Sequence, residues 1–317
     1  MTSTHPAPRS DHASHGLVYV FFAGLLYGSA GLFARALPYD AWTMLGWRSL
    51  AGGLFMAGLH VAQRRRVAWR EWRMAPEYWA LVPIYAASTI SYIVALKITT
   101  VAEVMIVYAT APFVTAGVAW AWIGERPSRR VLAASVVALA GIALMLGGAP
   151  ATPGRWWGAL LIVIMNVGFA MTLVLARRRP TVSMLPVNAY SLLLAAGVGF
   201  ALAPGQPVPA AGLAGMIAFG VLTVGLAMTF FMIGAREAPS AEVSLVGLTD
   251  VVLAPLMVWL VFGENPGLAA VAGGLVVTGA VAWNVWPALR RGGNPSGGRL
   301  TSAARSTVNQ TDSGAVR

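Results

Sequence analysis

The segment Lys97–Pro127, KITTVAEVMIVYATAPFVTAGVAWAWIGERP, returns later in the chain as Arg236–Pro266, REAPSAEVSLVGLTDVVLAPLMVWLVFGENP. The offset between the copies is 236 − 97 = 139 positions. A repeat at a fixed offset indicates duplicated architecture, and this offset is too long for a solenoid unit. The chain is therefore predicted to consist of two related halves. The pairs that match are Ala102/Ala241, Glu103/Glu242, Val104/Val243, Val107/Val246, Thr110/Thr249, Trp120/Trp259, Gly124/Gly263, Glu125/Glu264 and Pro127/Pro266.

Part of the repeated set falls on one helical stripe. Glu103, Val107 and Thr110 stand at i, i+4 and i+7, a spacing that places their side chains on one face of a helix. Both halves carry this stripe, so we expect it to serve the same purpose in each.

The composition indicates a membrane protein. The chain has 317 residues, of which 57% are hydrophobic and 10% charged, whereas a soluble protein carries about a quarter charged residues. The net charge of +11 does not indicate nucleic-acid binding, because the arginines cluster in short runs between apolar segments. Cysteine is absent, which excludes disulfides and thiolate metal sites.

The sequence also lacks the motifs of common enzyme classes. Lys97, the sole lysine, follows Leu96, so the chain has no Walker A motif, and no histidine lies in an HExxH pattern. We therefore expect no enzyme activity, no cofactor and no metal.

Ten apolar segments have about the 20 residues that a helix needs to cross a bilayer. The first is too long for a signal peptide and is interpreted as an uncleaved span. The polar tails 1–15 and 289–317 are predicted to be disordered, and the two five-span halves are 16–148 and 156–287. The predicted spans are 16–36, 41–62, 78–98, 101–122, 130–148, 156–176, 184–203, 212–234, 241–262 and 267–287.

Arginine placement predicts the orientation. One set of alternate loops is arginine-rich, and both termini lie on the same side as that set. By the positive-inside rule both termini are cytoplasmic. Because each half has an odd number of spans, the second half enters the membrane inverted. The prediction is an all-α integral membrane protein of the inverted-repeat transporter type. The arginines of these loops and tails are Arg64, Arg65, Arg66, Arg70, Arg73, Arg126, Arg129, Arg130, Arg177, Arg178, Arg179 and Arg236, with Arg9, Arg290 and Arg291.

These residues resemble the drug/metabolite transporter superfamily, specifically its EamA-type members with two five-helix repeats. The resemblance covers about residues 16–287, and its most specific part is Gly124-Glu125, echoed by Gly263-Glu264. Arg48, Ala95-Leu96 and Pro112 support it. The second half departs at two places, with Asn188 near the position of Arg48 and Val251 at that of Pro112. The resemblance implies a secondary carrier of small metabolites, often outward, without specifying one substrate.

Two charged residues lie away from the ends of their predicted spans, where charged side chains are expensive and often functional. Asp250 lies near the middle of the ninth span. We interpret it either as a proton-coupling or substrate-amine site, or as a structural residue that pairs with Arg48 or contacts the backbone. For Arg48 itself, an interior ion pair or a side chain that reaches the headgroups is favoured, because the resemblance places arginine here across carriers of different substrates.

Other polar and aromatic groups within the spans are candidates for orienting a substrate in a largely apolar pocket. Asn166 stands out because an amide in lipid needs a partner. Pro112 and Pro255 are expected to free the carbonyls of Tyr108 and Val251, which is typical of helices that line a transport cavity. The predicted substrate-binding residues are Tyr27, Tyr92, Tyr108, Thr110, Asn166, Thr249 and Asp250.

The remaining acidic residues are interpreted as structural. Glu103 and Glu242 lie in first helical turns, where the helix dipole favours a carboxylate. The repeat-signature residues Glu125 and Glu264 lie at helix exits and are expected to fix loop geometry. Small-residue pairs such as Gly117/Ala121 and Ala269/Gly273 suit close helix packing within the chain, or a homodimer.

The resulting hypothesis is a ten-span secondary carrier in the cytoplasmic membrane, whose substrate is a small amphipathic metabolite such as an amino acid. By the resemblance, the cavity is walled chiefly by spans 1, 3, 4, 6, 8 and 9. A proton-coupled drug or toxic-compound exporter is the alternative of the same class. A channel or a structural membrane protein is the alternative of another class.

Overall fold

The computed structural model describes residues 10–63, 76–124, 126–148, 154–178, 185–237 and 249–292. Within these ranges the chain forms ten helical rods, each coinciding with one predicted span. They are α1 (Ser10–Gly28, then Ala30–Ala36), α2 (Ala41–Gln63), α3 (Pro76–Ile98), α4 (Val101–Tyr108, then Ala111–Ile123), α5 (Arg129–Gly148), α6 (Arg155–Arg178), α7 (Leu185–Leu202), α8 (Ala210–Gly220, Val221–Leu226 and Ala227–Glu237), α9 (Thr249–Phe262) and α10 (Gly267–Gly292).

Length and composition make seven of the described helices able to cross a membrane: α1, α3, α4, α6, α7, α8 and α10. The described part of α9 is a shorter apolar helix, because residues 241–248 of the predicted span lie outside the described ranges. The described part of α1 starts at Ser10, and that of α10 ends at Gly292.

The 139-residue offset also relates the ends of described helices. α4 ends at Ile123, and adding 139 gives position 262, where α9 ends. The repeated stretch therefore ends its helix at the equivalent position in both halves.

The break in α4 creates a polar contact deep in the bundle. α4 is interrupted at Ala109–Thr110, and Pro112 lies in the first turn of its second segment, where a missing amide hydrogen costs nothing. That Pro112 frees the Tyr108 carbonyl stays a prediction. At the break the Val107 carbonyl accepts from the Thr110 hydroxyl at 2.6 Å and from Asn166 Nδ2 at 3.1 Å.

The helices pack at glycine contacts that leave no room for a side chain. A Cβ on Gly199 of α7 would lie 2.6 Å from the Gly46 amide nitrogen of α2. One on Gly273 of α10 would lie 2.6 Å from the Gly141 carbonyl oxygen of α5. The expected packing at Gly273 thus occurs within the chain. A Cβ on Gly117 would meet no atom within 4 Å, so Gly117 is not a packing site for the described residues.

Candidate functional site

One end of the bundle, called here the Glu264 end, joins the two halves through charged pairs. Arg35 of α1 contacts Glu264 after α9, with Nε 2.6 Å from Oε2 and an Nη 3.2 Å from Oε1. Glu264 Oε1 also accepts the Val101 amide at 3.0 Å. By the predicted orientation this end faces outward. Besides its position in its own loop, Glu264 therefore connects the end of α9 to α1 and α4 through these contacts.

A second pair crosses between the halves at the same end and is buried. Arg155 Nε at the start of α6 donates to Glu103 Oε1 of α4 at 2.7 Å, and their side chains are 4% and 8% exposed. Glu103 also completes a capping box with Thr100 and accepts from the Thr99 hydroxyl. The predicted helix-start role of Glu103 is confirmed. Glu125 and Glu242 lie outside the described residues.

Asp40 caps α2 near this end, outside the spans. Its carboxylate accepts the Trp42 and Thr43 amides at 2.8 and 3.0 Å and the Thr43 hydroxyl at 2.6 Å. Burial raises the pKa of Asp40, but these hydrogen bonds outweigh it and hold the pKa below its ordinary value. The ionised form is therefore the one that the fold stabilises.

A cavity of about 330 Å³ lies between the halves. Its described wall comes from α1–α4 and α6–α9, so α2 and α7 join the six expected helices. The lining residues are Val20, Gly24, Tyr27 and Ala30 of α1, Arg48 and Met56 of α2, Tyr85, Ser88, Thr89 and Tyr92 of α3, Met105 and Tyr108 of α4, Met165, Phe169 and Thr172 of α6, Asn188 and Leu192 of α7, Thr223, Val224, Met228 and Phe231 of α8, and Asp250 of α9.

The structure brings together some of the predicted substrate residues. Tyr27, Tyr92, Tyr108 and Asp250 line the cavity, as does Arg48. Thr110, Asn166 and Thr249 are not among the lining residues. Asn166 and Thr110 instead satisfy the Val107 carbonyl at the α4 break, because an exposed carbonyl at this depth needs a donor.

The two cavity charges do not pair with each other. Among the described residues, Arg48 and Asp250 form no ion pair, and each is 6% exposed. Arg48 Nε and Asp250 Oδ1 have no hydrogen-bond partner there. The Arg48 guanidinium lies 4.7 Å from the ring centre of Phe219 and 5.9 Å from that of Tyr92. The expectation that Arg48 forms an ion pair or reaches the headgroups is therefore not met.

Sequence reasoning missed part of the wall. Tyr85, Ser88 and Thr89 belong to the same α3 stripe as Tyr92, because positions 85, 88 or 89 and 92 recur at helical spacing. This periodicity could have found them from Tyr92 alone. Asn188, whose Oδ1 is also without a partner in the described part, stands out in the sequence only as a departure from the Arg48 pattern.

In the described ranges no group of three or more His, Asp or Glu side chains could hold a metal ion. The wall offers aromatic rings, hydroxyls, thioethers, one amide and two opposite charges. Such a wall can bind and orient a small molecule, and its described residues include no obvious nucleophile with an adjacent base.

Comparison with known proteins agrees with this architecture. The EamA-like transporter family model matches residues 14–147 and 156–286, one domain in each half. One crystal structure of a protein is 20% identical, with a TM-score of 0.62, covering 88% of this chain and 99% of that chain; at this identity the likeness concerns the fold alone. No curated protein matches the sequence. Members of the EamA-like transporter family are multi-pass membrane transporters of small molecules rather than enzymes. Because the family model covers both halves, the chain belongs to this family.

Proposed function

We propose that this transporter exports small amphipathic metabolites, first among them amino acids or close relatives, across the cytoplasmic membrane by alternating access. The observation that carries the proposal is the cavity whose described wall comes from eight helices, four from each half. A molecule bound there touches both halves, so its binding can depend on how they are arranged.

The charged pairs of the Glu264 end support alternating access. Both pairs join the first half to the second: Arg35 to Glu264 and Glu103 to Arg155. Ion pairs between packed bodies are discrete contacts that can break and re-form when one body rocks against another. Transporters with inverted repeats move their halves in this way around a central site.

The proposed orientation has both termini in the cytoplasm. It can be tested directly because the chain has no cysteine, so single introduced cysteines are labelled on a silent background. Ser128→Cys should react only from the cytoplasmic side and Gln206→Cys only from outside. Labelling of both from one side contradicts the ten-span topology.

The substrate proposal follows from the chemistry of the wall. Amide, hydroxyl and aromatic groups around two opposite charges suit a molecule with an amine or hydroxyl and a modest apolar body. Polyphosphates and nucleotides fit poorly, because they need several cationic donors and Arg48 is the one cation among the described lining residues.

A proton-coupled drug exporter is the second candidate, and one feature favours it. Met56, Met105, Met165 and Met228 line the cavity, and flexible thioether side chains adapt to ligands of varied shape. Such a carrier should raise tolerance to structurally unrelated apolar cations, whereas the amino-acid carrier should act on a limited set of related compounds.

The test uses one strain that overproduces the protein and one that lacks it, both challenged with excess amino acids, dipeptides and apolar toxic cations. Overproduction should raise tolerance to a few amino acids and their accumulation outside the cell. Unchanged tolerance and unchanged extracellular pools, with the protein shown to be in the membrane, contradict the amino-acid proposal. Tolerance to the cations alone supports the drug exporter.

A further inference from the structure

The cavity holds one positive and one negative side chain that are both buried and held apart. Arg48 belongs to α2 and lies over the Phe219 ring of α8. Asp250 belongs to α9 and lies against α1, where a Cβ on Gly28 would be 3.7 Å from the Asp250 Cα. Each charge is therefore fixed to a different pair of helices.

Tyrosines share the cavity wall with the two charges. The Tyr92 ring centre is 5.9 Å from the Arg48 guanidinium. Tyr27, Tyr85 and Tyr108 line the same cavity.

Buried charges without a partner are costly, and an opposite charge that also satisfies their hydrogen-bonding atoms offsets the cost. Arg48 Nε is a donor without an acceptor among the described residues, and Asp250 Oδ1 is an acceptor without a donor there. One ligand that carries a carboxylate at one end and an ammonium at the other would satisfy both.

We infer that the cavity selects zwitterions, with the substrate carboxylate on Arg48, the substrate ammonium on Asp250 and the apolar body against the tyrosines and methionines. This inference rests on the proposed amino-acid transport and adds to it the orientation and the groups that read each end. It gives Arg48 the role of binding the substrate carboxylate.

Selection follows from what an incomplete ligand leaves behind. An amine that lacks the carboxylate binds Asp250 and leaves Arg48 buried and unbalanced, and a carboxylic acid leaves Asp250 in the same condition. Discrimination arises from these uncompensated charges as much as from the attraction at the end that is bound. A charged hydrogen bond of about 1.5–3 kcal/mol corresponds to roughly a tenfold to hundredfold preference for the zwitterion.

The experiment uses the purified full chain and three apolar amino acids: leucine, methionine and phenylalanine. Each is compared with the amine that lacks its carboxylate and with the acid that lacks its amine. Ligand binding is read as the shift of thermal unfolding in detergent, and transport is read by counterflow in proteoliposomes. Wild-type protein should prefer at least one amino acid over both of its counterparts by roughly tenfold or more.

Each charge should control its own end of the ligand. Arg48→Gln should remove the preference for the amino acid over the amine and keep the preference over the acid. Asp250→Asn should do the reverse. Ser49→Ala is the matched control, because Ser49 is fully buried beside Arg48 and is not a lining residue. It should leave both preferences unchanged.

The outcomes separate this inference from the function proposed above. Transport of amino acids with preferences that survive Arg48→Gln and Asp250→Asn overturns the zwitterion site and leaves amino-acid transport standing. Equal or tighter binding of the free amines by wild-type protein overturns both and supports the cation exporter. Thermal unfolding of each variant without ligand shows whether it folds. If either variant fails to fold, Arg48→Lys and Asp250→Glu are used, because they keep the charge and should keep the preference for the zwitterion. Loss of that preference in both of these variants would overturn the inference.

Discussion

The two halves build one cavity on the same backbone plan with different side chains. Where the first half has a tyrosine in the cavity wall, the residue 139 positions later in the second half has no phenolic hydroxyl. The charged residues of the wall also have no charged equivalent in the other half. Asn188 lies near the position equivalent to Arg48, and Ala111 occupies the position equivalent to Asp250. The tyrosine pairs are Tyr27/Asn166, Tyr85/Val224, Tyr92/Phe231 and Tyr108/Gly247. Repetition of the fold therefore does not imply repetition of the chemistry.

The backbone shows the same contrast. Pro83 lies inside α3, and the equivalent position, 222, lies in the π-helical segment Val221–Leu226 of α8. A proline removes one backbone hydrogen bond, and a π segment shifts several. Both features make a helix beside the cavity irregular, so one irregularity arises from local chemistry and the other from packing.

The largest effect is expected from tying the halves together. Arg35→Cys with Glu264→Cys, joined by a bifunctional thiol reagent, should abolish transport in proteoliposomes because the Glu264 end can no longer separate. Leu37→Cys with Lys97→Cys is the matched control, since both residues lie in the first half and Lys97 Nζ is 2.9 Å from the Leu37 carbonyl. That crosslink should preserve transport. Full activity of the crosslinked first pair contradicts alternating access.

Next in size is the loss of the second half's cavity charge. Asp250→Asn should abolish uphill transport while exchange continues with weaker affinity, and the pH dependence of transport should flatten. Thermal unfolding without substrate checks that the variant is folded. Full uphill flux in well-folded Asp250→Asn protein removes Asp250 from both coupling and binding.

The two ion pairs of the Glu264 end should differ in their contribution to stability. Glu103→Gln removes one carboxylate from the buried pair with Arg155, whose side chain is 4% exposed, so it should cost about 3–5 kcal/mol. Arg35→Gln breaks a partly exposed pair and should cost about 1 kcal/mol or less. Thermal unfolding in detergent measures the loss of stability in both variants. Equal losses would show that burial does not determine how much an ion pair contributes to stability.

A smaller effect should follow when the first half is made to resemble the second. Tyr92→Phe copies Phe231 and removes a hydroxyl from the cavity wall beside Arg48. It should weaken substrate binding by roughly threefold to tenfold, the equivalent of one hydrogen bond of about 0.5–1.5 kcal/mol. The reciprocal change, Phe231→Tyr, should leave affinity within about twofold because it creates no charge partner. Equal effects of the two changes on substrate affinity would contradict the asymmetry of the wall.

The smallest effect concerns helix starts. Asp40 caps α2, whereas the residue at the equivalent position before α7 is Arg179. Asp40→Ala should cost about 1 kcal/mol. The pKa of Asp40 is lowered in the folded protein, so its contribution is present above the unfolded pKa of about 3.9 and is lost as the pH falls through the folded pKa. Unfolding temperatures of wild type and Asp40→Ala should therefore converge in acid, and a constant difference would exclude the cap.

Much of the fold could be predicted because its signals are local. A helix in lipid must satisfy its own backbone, so an apolar run of sufficient length indicates a span without knowledge of its neighbours. The repeat at 139 residues then predicts the two halves, and the helix ends at 123 and 262 agree with it. The capping role of Glu103 is also predictable, because a capping box lies within one turn.

The candidate site, like the fold, was predictable from the sequence only where its signals are local. The sequence by itself determined that Asp250 and Arg48 are charges within spans and that Tyr27, Tyr92 and Tyr108 are aromatic candidates. Only the tertiary structure decided that the two charges stay unpaired within the described residues, that the α4 break is served by side chains of α4 and α6, and that α2 and α7 join the wall. The physical reason is that ion pairs, cavity walls and hydrogen-bond donors to a carbonyl depend on the distance and rotation between helices that are far apart in the chain. Helical periodicity specifies which residues share a face, but it does not specify which helix packs against that face.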